Sequence, residues 1–368
     1  MILVTGGAGF IGSHLVRKLL SQGHRVRVLD VFVPQVHENN VALLPDDVEI
    51  IRGDIRNQAT VDAALNGVEV VFHQAAAVGV GQSMYGIEEY TSANAMGTAT
   101  LLQSLVNRRA QVSKLIVASS MSVYGEGSYK CKNCGPLTPM LRPVSQFEQK
   151  YWELTCSVCG SVLEPVGTQE TKPLSPASVY AITKQYQEEL CLTVGRAYGI
   201  PTVGLRYFNA YGPGQALSNP YTGVAAIFSA RLLNWQPPLV FEDGLQTRDF
   251  VHVNDIVQAN ILAMQTDAAD YQAINVGTGV ATTVKRVAEL LAEELDIPIE
   301  PKITGSYREG DVRHCIADIS FARQSLGYEP TILLEKGISE LVGWAGRQNP
   351  LDDVERATHE LQSRGLVR

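Results

Sequence analysis

No stretch of this chain approaches the roughly 20 consecutive apolar residues that span a bilayer. Met1 runs directly into the strand-like Ile2-Leu3-Val4, without the charged and apolar regions of a secretory leader. The expectation is a cytoplasmic protein with no membrane partner. Basic charge is scarce too: 30 Lys and Arg stand against 38 Asp and Glu, a net charge of −8. Nucleic acid is held by concentrated Lys and Arg, so no nucleic-acid partner is expected, while a few local Arg residues can still hold a small anion. Internal repeats and low-complexity tracts are absent. Cysteine is sparse, six residues in all, yet four of them form two Cys-x-x-Cys pairs, with Cys191 and Cys315 standing alone. In a reducing cytoplasm that pattern favours metal over disulfide.

What is present is apolar: 45% of the 368 residues are hydrophobic, enough for one large core or two coupled ones. From residue 2 to about 120, short apolar runs alternate with amphipathic segments. Strands are expected at Ile2 to Val4, Val26 to Leu29, Val48 to Ile51, Val68 to Phe72 and Lys114 to Ala118. Helices are expected from Phe10 to Ser21, near Thr60 to Leu65, and from Glu88 to Asn107. That rhythm means βαβ units and a parallel sheet, to which Pro201 to Leu205 adds a later strand. Beyond Gly212-Pro213-Gly214 the rhythm becomes irregular, and a smaller mixed lobe is expected, with helices Thr283 to Leu295, Ile338 to Trp344 and Asp352 to Leu361.

Thr5-Gly6-Gly7-Ala8-Gly9-Phe10-Ile11-Gly12 follows the first strand and opens the first helix. Glycine lets a backbone approach a pyrophosphate closely, and a helix N-terminus supplies unpaired N–H groups and a favourable dipole. Gly6, Gly9, Phe10, Ile11 and Gly12 are therefore candidate dinucleotide contacts. Asp30, at the end of the second strand, can accept from both ribose hydroxyls and would repel a 2′-phosphate, which favours NAD over NADP. Asp54 and Ile55, after the third strand, are placed to meet the adenine ring. The fold class is α/β: a Rossmann-type doubly wound parallel sheet, a smaller mixed C-terminal substrate lobe and an inserted zinc-knuckle segment. Residues 1–205 form the dinucleotide-binding domain, with the insertion at about 127–168. Residues 206–368 form mainly the substrate lobe, some segments returning to the first domain.

Tyr180 and Lys184 stand four residues apart, one helical turn, and share a face. An ammonium near a phenol lowers its pKa and lets it act as a base towards a sugar hydroxyl. Ser120, at the end of a strand in Ser119-Ser120-Met121-Ser122-Val123-Tyr124-Gly125, can share the substrate's hydrogen bond. These motifs, with Arg206-Tyr207-Phe208-Asn209, Tyr211-Gly212-Pro213 and Arg248-Asp249-Phe250-Val251-His252-Val253-x-Asp255, resemble the extended short-chain dehydrogenase/reductases that act on nucleotide sugars. The resemblance spans nearly the whole chain. It implies Tyr180 as base, Lys184 as its partner and nicotinamide-ribose anchor, and Ser120 as hydrogen-bond donor. It also implies Asn209, Arg248 and Arg308 as holders of a nucleotide diphosphate, and Ser83 as a contact to the sugar or its phosphate. Arg313 is an equally basic neighbour of Arg308.

Dehydrating relatives carry an Asp-Glu pair after the Ser/Thr, and decarboxylating ones a Glu. Here Met121 and Ser122 follow, neither a general acid or base at neutral pH. Ketose-reducing relatives usually take NADP, against which Asp30 speaks. What remains is 4-epimerisation with tightly bound NAD. The run Gln215 to Ile227 resembles a bacterial subgroup that epimerises dTDP-L-rhamnose to dTDP-6-deoxy-L-talose; UDP-glucose or UDP-glucuronate 4-epimerisation is the runner-up. A 4-keto-sugar reductase and an NAD-binding regulator are the readings from other classes.

Ser120 and Tyr180 lie 60 residues apart, about twice the family's usual separation, and the surplus carries Cys131, Cys134, Cys156 and Cys159. Each pair is followed by glycine, forming knuckles that point four thiolates at one ion. Structural Zn²⁺ is expected, with no open coordination position and so no catalytic role. A redox pair, disulfides or a nucleic-acid-binding ribbon are the competing readings. The insertion is expected near the sugar pocket, since both its ends lead to catalytic residues. Helices Glu88 to Asn107 and Ser178 to Tyr198 resemble those that pair across the family's dimer, so a homodimer is expected; Ala93, Ala95, Gly97 and Ala99 are small enough for such a seam, and core packing against the sheet explains them equally well.

Overall fold

The computed structural model describes residues 1–37, 44–108, 111–308 and 310–368. Its centre is a seven-stranded, all-parallel sheet in the spatial order Gln272–Val276, Thr202–Tyr207, Lys114–Ser120, Val70–His73, Ile2–Thr5, Val26–Asp30 and Glu49–Arg52. The inner strands are runs such as Ile-Leu-Val-Thr, buried at every position, because helices cover both faces. Strand order reverses between Ile2–Thr5 and Val70–His73, which opens a crevice at the carboxyl ends of the strands.

Helix Phe10–Ser21 and helix Val179–Tyr198 fix the two sides of that crevice. The second starts where the Ser178 hydroxyl accepts the Ala181 N–H at 3.1 Å, and stops at Gly199, left-handed at φ 69°, ahead of Pro201. The expected helix over 88–107 is broken into α-turns at Ile87–Tyr90, a π-helical stretch at Thr91–Met96 and a helix at Gly97–Asn107. Buried Asn94 lies in the widened stretch. Its Oδ1 accepts the Ala77 N–H at 2.7 Å, and its Nδ2 donates to Ala77 O and Thr183 Oγ1. Of the two readings open for Gly97, dimer seam or core, the structure has it packing inward: a Cβ there would sit 2.5 Å from Ile55 Cγ2.

The second lobe has its own core, in which Phe228, Leu232, Val287, Leu291, Ile338 and Leu341 join three helices. The strand Gln272–Val276 returns from this half of the chain to the edge of the main sheet. No described helix is long and apolar enough to cross a membrane.

The insertion does not stand apart. Its strands Ser128–Cys131, Gly135–Leu137 and Glu164–Thr168 complete a six-stranded sheet with the lobe's Thr282–Thr283, Thr247–Arg248 and His314–Ala317, through parallel pairing of Gly167 and Thr168 with Ile316 and Ala317. Glu153 binds the joint. The hydrogen bond from His314, followed by those from Arg313, outweighs partial burial and holds its carboxyl at about 2, against an ordinary 4.5. A depressed carboxylate stabilises fully above its unfolded value and loses that contribution as pH falls through the folded one. Thermal stability should therefore drop between about pH 4.5 and about 2. Glu153→Gln should lower stability at neutral pH and flatten that acid limb in melts followed by circular dichroism.

Candidate active site

One cavity of about 730 Å³ runs from the first βα turn, across the carboxyl ends of the central strands, to the second lobe. At one end lies the glycine loop. Gly6 is left-handed, and a Cβ on it would lie 2.7 Å from Ala75 N; a Cβ on Gly12 would lie 2.2 Å from Gly6 O. The turn is thus tight against its own chain, and only glycine fits. Gly9 caps helix Phe10–Ser21 without a side-chain bond, so the first N–H groups of that helix have no intrahelical acceptor.

Asp30 is buried beside the loop. Its Oδ2 accepts the Ala8 N–H at 3.0 Å and its Oδ1 the Phe32 N–H at 2.9 Å, with His37 Nε2 3.6 Å away. Burial raises its pKa, but the nearby His37 imidazole and the two amide bonds win, and the carboxyl stays below the usual range. Asp54 and Ile55 line the same end, Asp54 held low chiefly by its hydrogen bond from Arg56. An uncapped helix N-terminus, a glycine cradle and a buried carboxylate together fit a dinucleotide.

In the middle, Ser120, Tyr180 and Lys184 all line the cavity. Burial pushes the Tyr180 phenol up, and a hydrogen bond with Ser120 pulls it back. Lys184 is buried, donates to Ala118 O and Gln187 Oε1, and is brought down to about 8 by desolvation. Gln187 continues to His73, whose pKa of about 3, set by burial and then by Lys184, keeps it neutral. Gln187 and His73 went unremarked in the sequence; only the packing of the helix on the sheet brings them to Lys184.

At the far end, Asn209, Arg248 and Arg308 line the cavity. Asn209 Oδ1, Gln215 Oε1 and Arg308 Nε are buried without a partner, as expected of groups kept for a polar ligand. The Arg308 guanidinium sits 5.0 Å over the Phe241 ring. Arg248 is steadied by Val312 O at 2.6 Å, Arg313 O at 3.1 Å and Asp311 Oδ1 at 3.3 Å. Arg313 is separated from this group: fully buried, it bonds to Glu153, Glu242 and Asp243 and does not line the cavity.

One expectation is corrected. Ser83 does not reach the cavity. Its turn points the hydroxyl inward, where it donates to Val80 O at 2.7 Å and accepts the Tyr180 N–H at 3.0 Å, so it seats the base and leaves the sugar to others. The insertion packs behind the cavity wall, Arg142 on Asp311 O and Phe147 on Tyr307, while no described residue of it lines the cavity. Conversely, Val354, Ala357 and Leu361 of the C-terminal helix Val354–Ser363 do line it. The sequence shows that helix as amphipathic but does not say which surface it covers.

The sequence profile of the NAD dependent epimerase/dehydratase family matches residues 2–150 and 146–277. The chain belongs to that family. The two matched pieces meet within the cysteine-bearing segment, as expected if the insertion interrupts the shared pattern. A dTDP-L-rhamnose 4-epimerase of Burkholderia thailandensis is 34% identical over 94% of this chain and 95% of its own. A UDP-glucose 4-epimerase of Thermotoga maritima, solved with UDP-glucose, superposes with a TM-score of 0.76 at 31% identity, covering 93% of this chain and 97% of that one. A UDP-glucuronic acid 4-epimerase of Bacillus cereus, solved with UDP-glucuronic acid and NAD, gives 0.77 at 28%, covering 94% and 99%. This chain is an enzyme of the NAD-dependent epimerase type, with the family's doubly wound fold.

Proposed function

We propose that this enzyme is an NAD-dependent nucleotide-sugar 4-epimerase, with dTDP-L-rhamnose and dTDP-6-deoxy-L-talose as its substrate pair. The observation that carries the reaction is the content of the cavity. Ser120, Tyr180 and Lys184 lie between a dinucleotide cradle and two arginines, and the residues that follow Ser120 into the cavity are Met121 and Ser122. Neither can protonate or deprotonate a sugar carbon or expel water. Bound NAD would take up the C4 hydride and give it back. Everything else falls to this chain. Tyr180 takes the C4 hydroxyl proton as the carbonyl forms, and Ser120 steadies the oxygen. Arg248 and Arg308 hold the diphosphate bidentately while the keto sugar turns over. Tyr180 then returns the proton to the inverted alcohol.

The dTDP-sugar choice is supported by the Burkholderia relative and by the run Gln215 to Ile227, of which Gln215, Ala216, Asn219 and Tyr221 line the cavity. UDP-glucose or UDP-glucuronate is the alternative, supported by the two solved epimerases. The deciding experiment is incubation, without added cofactor, with a panel of dTDP-, UDP-, GDP- and CDP-sugars, following C4 configuration by proton NMR. Interconversion of one C4 pair names the substrate. Accumulating 4-keto sugar, loss of CO₂ or consumption of added NAD(P)H would discard the epimerase in favour of another family reaction.

Two structural features complete the proposal. Free thiols of Cys131, Cys134, Cys156 and Cys159 lie with all four sulfurs within 4.8 Å of one another, a donor set suited to structural Zn²⁺ in a reducing cytoplasm. The helix pair carrying Ile87, Met96, Ile182 and Tyr186 leaves these side chains exposed, which supports a homodimer through that face. A light-scattering mass of a single chain would exclude it.

A further inference from the structure

The insertion is built from two small hairpins with one thin core. Cys131 and Gly135 pair across the first turn; Cys156 N–H donates to Ser161 O and Gly160 N–H to Cys156 O in the second. Gly135 and Gly160 are left-handed, with open space where a Cβ would be. Tetrahedral Zn–S bonds of about 2.3 Å place sulfurs about 3.8 Å apart, and Cys131 and Cys159 Sγ are already 3.5 Å apart. Apart from the thiols, the core between the hairpins holds only Tyr129, Leu154 and Leu163, with Leu137 against them. That is little apolar surface to offset ordering of the segment, at about 1–2 kcal/mol per residue, so bound metal would add to what packing on the lobe supplies.

What this unit grips is the back of the diphosphate wall. Arg142 donates both terminal nitrogens to Glu242, at 3.0 and 2.8 Å, and a further bond to Asp311 O at 2.9 Å. Phe147 stacks on Tyr307 with ring centroids 4.9 Å apart and planes at 15°. Glu153, three residues before Cys156, bonds to Arg313 and His314. Tyr129, two residues before Cys131, donates at 2.7 Å to Glu126, which accepts the backbone N–H groups of Arg313 and His314. The described residues of 306–308 and 310–314 therefore have one side held by the insertion. From the other side Arg308 and Asp311 enter the cavity, and Asp311 touches Arg248.

We propose that metal binding at the four cysteines sets the position of Arg308 and Arg248, so that a filled metal site raises affinity for the nucleoside diphosphate without taking part in the chemistry. This rests on the nucleotide-sugar reading of the cavity. Phe147 and Glu153 are positioning residues in this scheme: they touch the wall and never the ligand.

The test uses the zinc-loaded protein, its chelator-stripped form and the same sample reloaded with Zn²⁺. Metal is counted by mass spectrometry, released NAD by chromatography, and binding of dTDP and UDP by calorimetry. Stripping should weaken binding of the preferred nucleoside diphosphate by about tenfold or more, a change of about 1.4 kcal/mol, with NAD content retained and affinity restored on reloading. In the loaded enzyme, Phe147→Ala should raise KM by about tenfold and leave kcat within about threefold, as loss of uniform binding does, and Phe147→Tyr should restore KM. A protein that neither carries nor takes up metal overturns the proposal, as does unchanged affinity after stripping. Loss of NAD in step with nucleotide also overturns it, since the metal would then be holding the whole fold. Binding is read without turnover, so the two readings separate. Flat affinity in an active epimerase removes only the coupling, and a coupled protein that epimerises no sugar removes only the reaction. Failure of the loaded protein to bind either nucleoside diphosphate removes both.

Discussion

Tyr180→Phe should lower C4 epimerisation by about three orders of magnitude, within the range of 10²–10⁴ that a positioned acid/base group contributes. NAD content and melting temperature should stay near the parent's. The substitution removes one oxygen from a ring whose amide, held by Ser83, and whose helix remain seated. No neighbour can take over. Ser120 is an alcohol whose Oγ already accepts from Ser122 N at 3.2 Å and Ser122 Oγ at 3.0 Å. Lys184 is committed to Ala118 O and Gln187. Burial pushes the Tyr180 phenol up and Ser120 pulls it back; in the proposed mechanism the Lys184 ammonium supplies the further charge that favours the ionised form. Lys184, at about 8, supplies that cation below pH 8 and loses it above. The rate should therefore fall on the alkaline side. A Tyr180→Phe enzyme with more than about a tenth of parental turnover would show that another group is the base.

The glycine turn, the Tyr180–Lys184 pair and the strand leading to Ser120 reveal their places in one dimension because each is a local device. A strand, a tight turn and a helix start are adjacent in sequence, and four residues make one helical turn. Other assignments depend on which face of a short element meets which neighbour, and spacing does not encode that. Ser83 sits on a four-residue turn, and a rotation of about 100° per residue separates a sugar contact from a buried bond to the Tyr180 amide. Arg308 and Arg313 are equally basic on paper. They part only when Glu153, Glu242 and Asp243, from two distant segments, converge on Arg313 and leave Arg308 to the cavity. The strands of the insertion are short and polar on one side, and their role appears only when Thr168 is seen paired with Ala317.

Neighbouring residues of one motif should fail in opposite ways. Arg248→Ala should raise KM for the nucleotide sugar by about 100-fold, the loss of two charge-assisted bonds worth about 1.5 kcal/mol each. Its melting temperature should change little, because Arg248 itself lines the cavity and water filling the space it leaves can bond Val312 O and Arg313 O. Asp249→Ala should instead cost about 3–5 kcal/mol of stability, about 5 °C in melting temperature for a chain this long. Asp249 is fully buried, and burial raises its pKa. It nevertheless takes four hydrogen bonds: from Thr278 N–H at 2.8 Å, Thr278 hydroxyl at 2.7 Å, Gly279 N–H at 2.8 Å and Ala317 N–H at 3.2 Å. Alanine leaves all four donors without that acceptor, where the strand beneath the arginine, the turn after the last sheet strand and the lobe sheet come together. Asp249→Asn should be only partly milder, since an amide can accept on one side but sets N–H against N–H on the other. A calorimetric melt and a KM for each variant check both claims. If Asp249→Ala melted with the parent and lost only nucleotide affinity, the carboxylate would have to face the ligand, and the division between a binding arginine and the aspartate that anchors it would be wrong.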